Sequence, residues 1–419
     1  MAWLDKIHHP EKYLTWFCKW TALSLLVGSI GGLLGTAFHY ALHFVTHLRL
    51  EHPWLVLLLP VGGLVSVAWY RLLKLRKNRG TNEIIDAVLD GEELKPQIAP
   101  GIFGAAMLTH LFGGSAGREG AALQLGGSTA SALSRLLKLE RSDRRVMIMA
   151  GMSAVFAGLF RTPLTAALFC MEFESVGTLF SPALLPCYLA SFTASALAGA
   201  LGVHAEGYAI TTFYNLSPAW ALGCAVLAVL VSVLGILMCK VFHEAEHLAS
   251  RHIKNPWVRI FAGGCLIAAM TYLVGDHRFN GAGMDMALGA IEGRGEWYYF
   301  LVKLLFTAVT LAAGFKGGEI VPTFCIGATF GLVVGNLLGL DAEIAAALGL
   351  VGLFCCATNS PLASIILSVE MFGGTNLHLF ALVCVICFVL SGHSGLYASQ
   401  ILQFHKASTI QSAREPDNS

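Results

Sequence analysis

Two residues of the run Gly117-Arg118-Glu119-Gly120-Ala121 carry full charge between long apolar stretches. Charged side chains in such a setting are costly and persist where they are used. The glycines let the backbone turn tightly and present its N–H groups. The nearly uncharged run from Ala121 to Leu137 reads as a helix. The start of that helix aims a positive dipole end and several unpaired N–H donors at one point. Such a point binds anions. Glu119 stands beside it, where its own carboxylate is able to occupy the seat. The chemistry implied is an anion path with an acidic gate. The plainer reading is a loop glutamate that flanks a membrane helix.

The elements that hold this run must lie in a membrane. Of 419 residues, 56% are hydrophobic and 13% charged, and the mean hydropathy is +0.67. Soluble domains carry about 25% charged residues. Net charge +1 leaves no nucleic-acid footprint. The 15 histidines are scattered, and His8-His9 in the polar N-terminus is weak support for metal. The 11 cysteines sit in apolar runs without CxxC spacing, as small helix residues rather than a disulfide framework or zinc site. No nucleophile with a base, phosphate loop or metal cluster argues for an enzyme, and no cofactor is expected. Residues 1–10 are polar and the first apolar run exceeds a signal h-region, so a cytoplasmic N-terminus without a cleavable signal is expected.

A span needs about 20 apolar residues. Trp20–Leu48, Trp54–Leu73, Phe180–Val203, Trp220–Cys239 and Val258–Val274 reach or approach that length, with Pro100–Phe112, Tyr298–Ala313 and Leu379–Leu390 shorter. Between them lie Glu83–Leu89, Met147–Phe160, Thr162–Met171, Met284–Ile291, Pro361–Met371 and Tyr397–Phe404, all too short to cross. Short pieces broken by Gly or Pro mark helices that end inside the membrane, as in transporters and channels. Basic clusters at Arg71–Arg79, Arg135–Arg145 and Arg251–Arg259 are predicted to face the cytoplasm.

The chain also repeats itself. Gly117–Gly126 matches Gly318–Gly327, an offset of 201 from Gly126 to Gly327. Arg161-Thr162-Pro163-Leu164 matches Asn359-Ser360-Pro361-Leu362, an offset of 198 from Pro163 to Pro361. Repeats of this kind in transporters are commonly inverted and bring helix starts together near the midplane. One anion site then has Gly117–Ala121 as one wall and Gly317–Pro322 as the other. Glu172 and Glu370 are symmetric in the repeat and read as helix-end or packing residues. Glu119 and Glu319 are not symmetric: Arg118 pairs with Glu319, and Glu119 with Ile320. Both acids are therefore candidate proton carriers.

These residues resemble a known family. Gly117-Arg118-Glu119-Gly120 resembles the GREGP signature of the CLC chloride channels and chloride/proton antiporters. Arg161–Phe169 is similar to their FNAPLAGILF stretch, and Gly317–Pro322 to their GxFxP signature. Tyr397 stands where the family carries its pore tyrosine. The resemblance runs from about Trp20 to Phe404. It implies an all-α polytopic membrane protein with the CLC fold, two inverted-topology repeats of many short tilted and re-entrant helices. It also implies a homodimer with one pathway per subunit. On this reading 1–419 is a single transmembrane domain, with repeats at about 16–203 and 216–404 and a short polar cytoplasmic tail at 405–419. The expected location is the bacterial plasma membrane, multi-pass, with both termini cytoplasmic.

The departures point to one branch. The family's GSGIP motif aligns with Arg79-Gly80-Thr81-Asn82-Glu83-Ile84-Ile85, which lacks the serine and the proline. Ala121 replaces the GREGP proline, and the later motif gains Glu319. This combination resembles the CLC-F fluoride/proton antiporters. The branch implies fluoride export in exchange for protons, with Glu119 as the gating and proton-carrying glutamate and Glu319 as a second proton-coupling acid. Two carboxylates in one buried site resist ionising together.

Fluoride holds its water strongly, so its site must supply several firm donors. Gly117, Arg118, Gly120, Ile320 and Val321 offer backbone at the helix starts, and Thr81, Asn82 or the Tyr397 hydroxyl adds side-chain donors. Which of Thr81 and Asn82 faces the path is left open. Arg118 either lends charge to a vestibule or bonds to carbonyls. Tyr397 is a pore residue or an interfacial belt tyrosine. Phe315 and Phe324 line the path or pack in the core. Lys303 snorkels, and Gly28, Gly31, Gly32 and Gly35 mark close helix packing. The alternatives to fluoride exchange are a chloride/proton antiporter and a passive fluoride or chloride channel of the same fold.

Overall fold

The computed structural model describes residues 10–75, 79–205, 207–215, 217–402 and 406. Outside them lie the polar start with His8-His9, Arg76 and Lys77 of the first basic cluster, Phe404, and the 405–419 tail apart from Lys406. Among the described residues the helices fall into two series of eight. The first is α1 (Pro10–Glu51), α2 (Leu59–Leu72), α3 (Thr81–Asp90), α4 (Ile98–Leu111), α5 (Glu119–Leu136), α6 (Arg141–Phe160), α7 (Pro163–Glu172) and α8 (Leu184–Ala200). The second is α9 (Pro218–His252), α10 (Pro256–Val274), α11 (Met284–Ile291), α12 (Tyr299–Ala313), α13 (Ile320–Leu338), α14 (Ala342–Thr358), α15 (Pro361–Phe372) and α16 (Leu377–Leu390).

Local sequence fixes many of the ends. Proline opens α7, α9, α10 and α15, where its missing N–H costs nothing. Ser217, Asn255 and Asp341 cap α9, α10 and α14 through their side chains. Two breaks are alike in both series. Arg161 ends α6 at φ 61° and Asn359 ends α14 at φ 57°, each two residues before the proline of the next helix. A left-handed non-glycine residue is costly, and both are held by their neighbours. The Arg161 guanidinium bonds the Ser195 carbonyl and its hydroxyl, and Asn359 Nδ2 donates to the Ser394 carbonyl at 3.2 Å.

The corresponding helices α5 and α13 end against different neighbours. α5 runs to the basic segment around Arg135, which pairs with Glu93. α13 ends instead beside the start of α9: a methyl group on Gly223 would sit 3.0 Å from Leu340. The 35 residues of α9 then return the chain to the basic residues Arg251 and His252. Among the described residues, six helical segments are long and apolar enough to cross a membrane. Small residues bring helices together: Cβ atoms on Gly28 and Gly32 of α1 would meet Ala190 O at 2.7 Å and Ala194 Cα at 2.9 Å of α8. On α1, Gly31 and Gly35 face α6 in the same way, so all four serve the close packing expected of them.

Several expected boundaries move. α6 begins at Arg141, not Met147, and its 20 residues reach span length. Its first turn is charged, which hides it from an apolar count. α14 occupies a stretch to which the sequence assigns no segment; it is apolar on every side and correspondingly buried. Tyr397–Phe404 is not a short helix over its described residues. Leu396 N donates to Ala357 O at 2.8 Å, Ser399 N to Asn82 Oδ1 at 3.1 Å and Ile401 N to Glu174 O at 3.0 Å. With their N–H groups taken by other elements, these residues form a loop that ends in a two-residue parallel pairing, β1 (Ser175–Val176) with β2 (Ile401–Leu402). Lys303 does not snorkel. It is fully buried, and its ammonium donates to Phe279 O at 3.1 Å and Gly281 O at 2.6 Å.

Candidate anion site

The two glycine motifs meet backbone to backbone. Gly117 N donates to Gly318 O at 2.6 Å and Gly318 N to Gly117 O at 2.8 Å, an antiparallel bridge between the two series. A methyl group on Gly120 would sit 3.3 Å from Gly317 O, so a side chain there would press its neighbours apart by a few tenths of an ångström. The bridge aligns the two starts. Arg118 precedes α5 as Glu319 precedes α13, and Glu119 and Ile320 are the first residues of the two helices. The structural pairing is therefore the one expected from the repeat.

Glu119 is fully buried, and its carboxylate folds back onto the converging helix starts. Oε2 accepts from Arg118 N at 3.1 Å. The amides of Glu119 itself and of Val321 are directed at the same carboxylate. One helix start from each series thus addresses a single negative group. Oε1 is buried without a hydrogen-bond partner. Ile320 is fully buried in the first turn of α13. Glu319 is half-buried, with Oε2 also buried and unpartnered. Its backbone carbonyl accepts from Thr323 N at 3.0 Å and Thr323 Oγ1 at 2.8 Å.

Thr81 and Asn82 separate clearly. Thr81 opens α3, and its Oγ1 lies 3.0 Å from the position of a Cβ on Gly120. Asn82 Oδ1 is spent on Ser399 N and holds the loop that carries Tyr397. Thr81 therefore faces the helix start, while Asn82 braces its surroundings. Tyr397 is 5% exposed, too deep for a headgroup-level belt residue. Its ring meets Phe173 edge-on at 4.9 Å, and its hydroxyl is buried without a partner. Both Glu319 and Glu119 act on that hydroxyl electrostatically.

Two cavities are lined by residues of the site. The larger, about 1110 Å³, runs from His43 and His47 on α1 past Arg49 and His110 to Arg118 and Val321. Arg118 lines it with its guanidinium 4.7 Å from the centre of the Phe160 ring. The smaller, about 460 Å³, lies between His243, Lys240 and Gln400 and ends on Tyr397. Phe324 packs edge-on against Phe354 at 5.3 Å and Phe315 against α2, so both serve the core.

Two contributors escape sequence reasoning, and a third, Lys303, is given a different role there. Gln124 is buried one turn after Gly120. Its Nε2 donates to Gly120 O at 3.1 Å, and its Oε1 is unpartnered. A lone amide in an apolar run is the available signal. Buried His110 places Nε2 3.3 Å from Gly117 O. Buried Lys303 fixes the loop between Phe279 and Gly283 under the larger cavity. Glu172 and Glu370 are also more specific than packing residues. Glu370 accepts from Leu164 N and Thr165 N, each at 2.8 Å, and Glu172 from Leu362 N at 3.2 Å and Ala363 N at 2.8 Å. Each caps the short helix of the other series.

The sequence and the fold both have known relatives. The sequence profile of the family described as Voltage gated chloride channel matches residues 61–392. A "Chloride/fluoride channel protein" of Pseudomonas syringae pv. tomato is 36% identical over 407 residues, covering 95% of this chain and 90% of that protein. The H(+)/Cl(-) exchange transporter ClcA of Vibrio cholerae serotype O1 is 25% identical over 435 residues, covering 94% of this chain and 91% of that protein. Among solved structures, the crystal structure of a CLC-type fluoride/proton antiporter superposes with a TM-score of 0.89 at 32% identity. It covers 92% of this chain and 98% of its own.

Proposed function

This chain belongs to the voltage gated chloride channel family, the CLC family, and from that premise we propose that it exports fluoride in exchange for protons. The observation that carries the proposal is the Glu119 carboxylate, seated on amides from the starts of α5 and α13. A small anion that replaces it inherits the same donors, with Thr81 Oγ1 alongside. One solved neighbour is a CLC-type fluoride/proton antiporter, and one relative is named a chloride/fluoride channel protein.

In the proposed cycle, ionised Glu119 holds the seat and excludes the anion. Protonation removes its charge, the side chain leaves, and fluoride takes its place. Glu319 stands at the cap position that Arg118 occupies in the other series, with an unpartnered oxygen in the same buried region. It receives or lends the proton while Glu119 is displaced. Tyr397 closes the side opposite the larger cavity. One group thus gates the anion and carries the proton, which is the physical requirement for coupling rather than leak.

In this reading the chain is a single transport domain of two inverted repeats, about 16–203 and 216–404, and not an enzyme. The basic segments face the cytoplasm of a bacterium together with both termini. The assembly is a homodimer with one pathway per subunit. The test is efflux from proteoliposomes loaded with fluoride or chloride, followed with ion-selective electrodes and a pH dye. Fluoride efflux should outpace chloride efflux and drive proton uptake. Faster chloride efflux sinks the fluoride reading, and fluoride efflux without proton movement makes the protein a channel.

A further inference from the structure

A cavity of about 350 Å³ opens beside α2, α10 and the end of α12. Three cations line it: Arg71, Arg259 and Lys316. None of them has a carboxylate within salt-bridge distance among the described residues. The acids that act on Lys316 from further away are Glu246, Glu83 and Glu319. The Tyr70 hydroxyl also lines the cavity. It is 7% exposed and has no hydrogen-bond partner. Arg259 Nε is buried and unpartnered as well. Lys316 stands 5.0 Å over the Tyr70 ring and Arg71 4.8 Å over the Trp257 ring, so the cations are held by aromatic faces with their outer donors unspent.

Buried donors without partners cost free energy unless a ligand satisfies them. The buried Tyr70 hydroxyl and Arg259 Nε, together with the Lys316 ammonium and the exposed Arg71, match a phosphate. The walls decide the source of that phosphate. Val65 of α2 and Val258 and Phe261 of α10 are exposed apolar residues close to the cavity-lining positions on the same helices. The cavity lies on the face that carries the basic segments, and acyl chains fit against such a rim. We propose that this cavity binds the headgroup phosphate of an anionic phospholipid, with Tyr70, Arg259 and Lys316 as its donors.

The test uses the full-length protein in neutral detergent, with unfolding temperature read against added ligand. Short-chain phosphatidylglycerol should stabilise it saturably, and short-chain phosphatidylcholine and inorganic phosphate should not. Tyr70→Phe and Arg259→Gln should each move the midpoint concentration upward by about tenfold. Arg251→Gln, an exposed change on the same face, should leave it in place. Tyr70→Phe deletes only the hydroxyl, so it reports on the site even if the arginine variant folds poorly. An unchanged midpoint in Tyr70→Phe, equal stabilisation by phosphatidylcholine, or equal stabilisation by inorganic phosphate would each overturn the proposal.

Discussion

At the scale of the residue, two neighbours have different work. Thr81 Oγ1 faces the start of α5, whereas the Asn82 carboxamide is committed to Ser399 N. Removing the Thr81 hydroxyl takes one neutral donor from a bound anion, worth about 1 kcal/mol. Thr81→Ala should therefore raise the fluoride concentration at half-maximal efflux roughly fivefold, with proton coupling retained. Asn82→Ala should act through the Tyr397 loop instead, lowering the coupling of protons to fluoride more than the fluoride affinity. Both outcomes come from efflux rates measured over a range of fluoride concentrations. Glu319→Gln leaves the fold intact and keeps an acceptor but cannot lose a proton. It should slow proton flux relative to fluoride flux, which paired electrode and dye traces would reveal.

At the scale of the element, the short helices α7 and α15 are joined by reciprocal carboxylate caps. Each cap is a pair of charge-assisted hydrogen bonds at a helix start. Glu172→Gln and Glu370→Gln should each destabilise the protein by about 1–2 kcal/mol. The caps lie about 15 Å apart along a ten-residue helix, so the two losses should add in the double variant. Thermal unfolding in detergent measures this, and a single variant as unstable as the double would show that the caps act as one unit.

The same elements show what can be read from the chain alone. The offset between Gly126 and Gly327 predicts the meeting of Gly117 with Gly318, because a repeat fixes which helix starts correspond. The short segments α3, α7, α11 and α15 are visible as apolar pieces bounded by Gly or Pro. α14 is not, because a helix apolar all round has no periodic signal and runs into its neighbours. The Tyr397 loop reads as helix in the sequence, yet its N–H groups are taken by Ala357, Asn82 and Glu174, partners remote along the chain. Lys303 misleads for the same reason: its carbonyl acceptors lie in a loop that no local rule places beside it.

At the scale of the whole molecule, one cavity is lined by Arg118 and Val321 beside the buried Glu119, and another by Tyr397. The central claim is that Glu119 both occupies the anion seat and carries the proton. The most direct measurement is simultaneous recording of fluoride and proton flux from proteoliposomes carrying Glu119→Gln. Glutamine fills the same space but takes up and releases no proton. The account predicts that fluoride-driven proton uptake disappears and exchange is abolished. Proton uptake that still tracks fluoride efflux in this variant would contradict it.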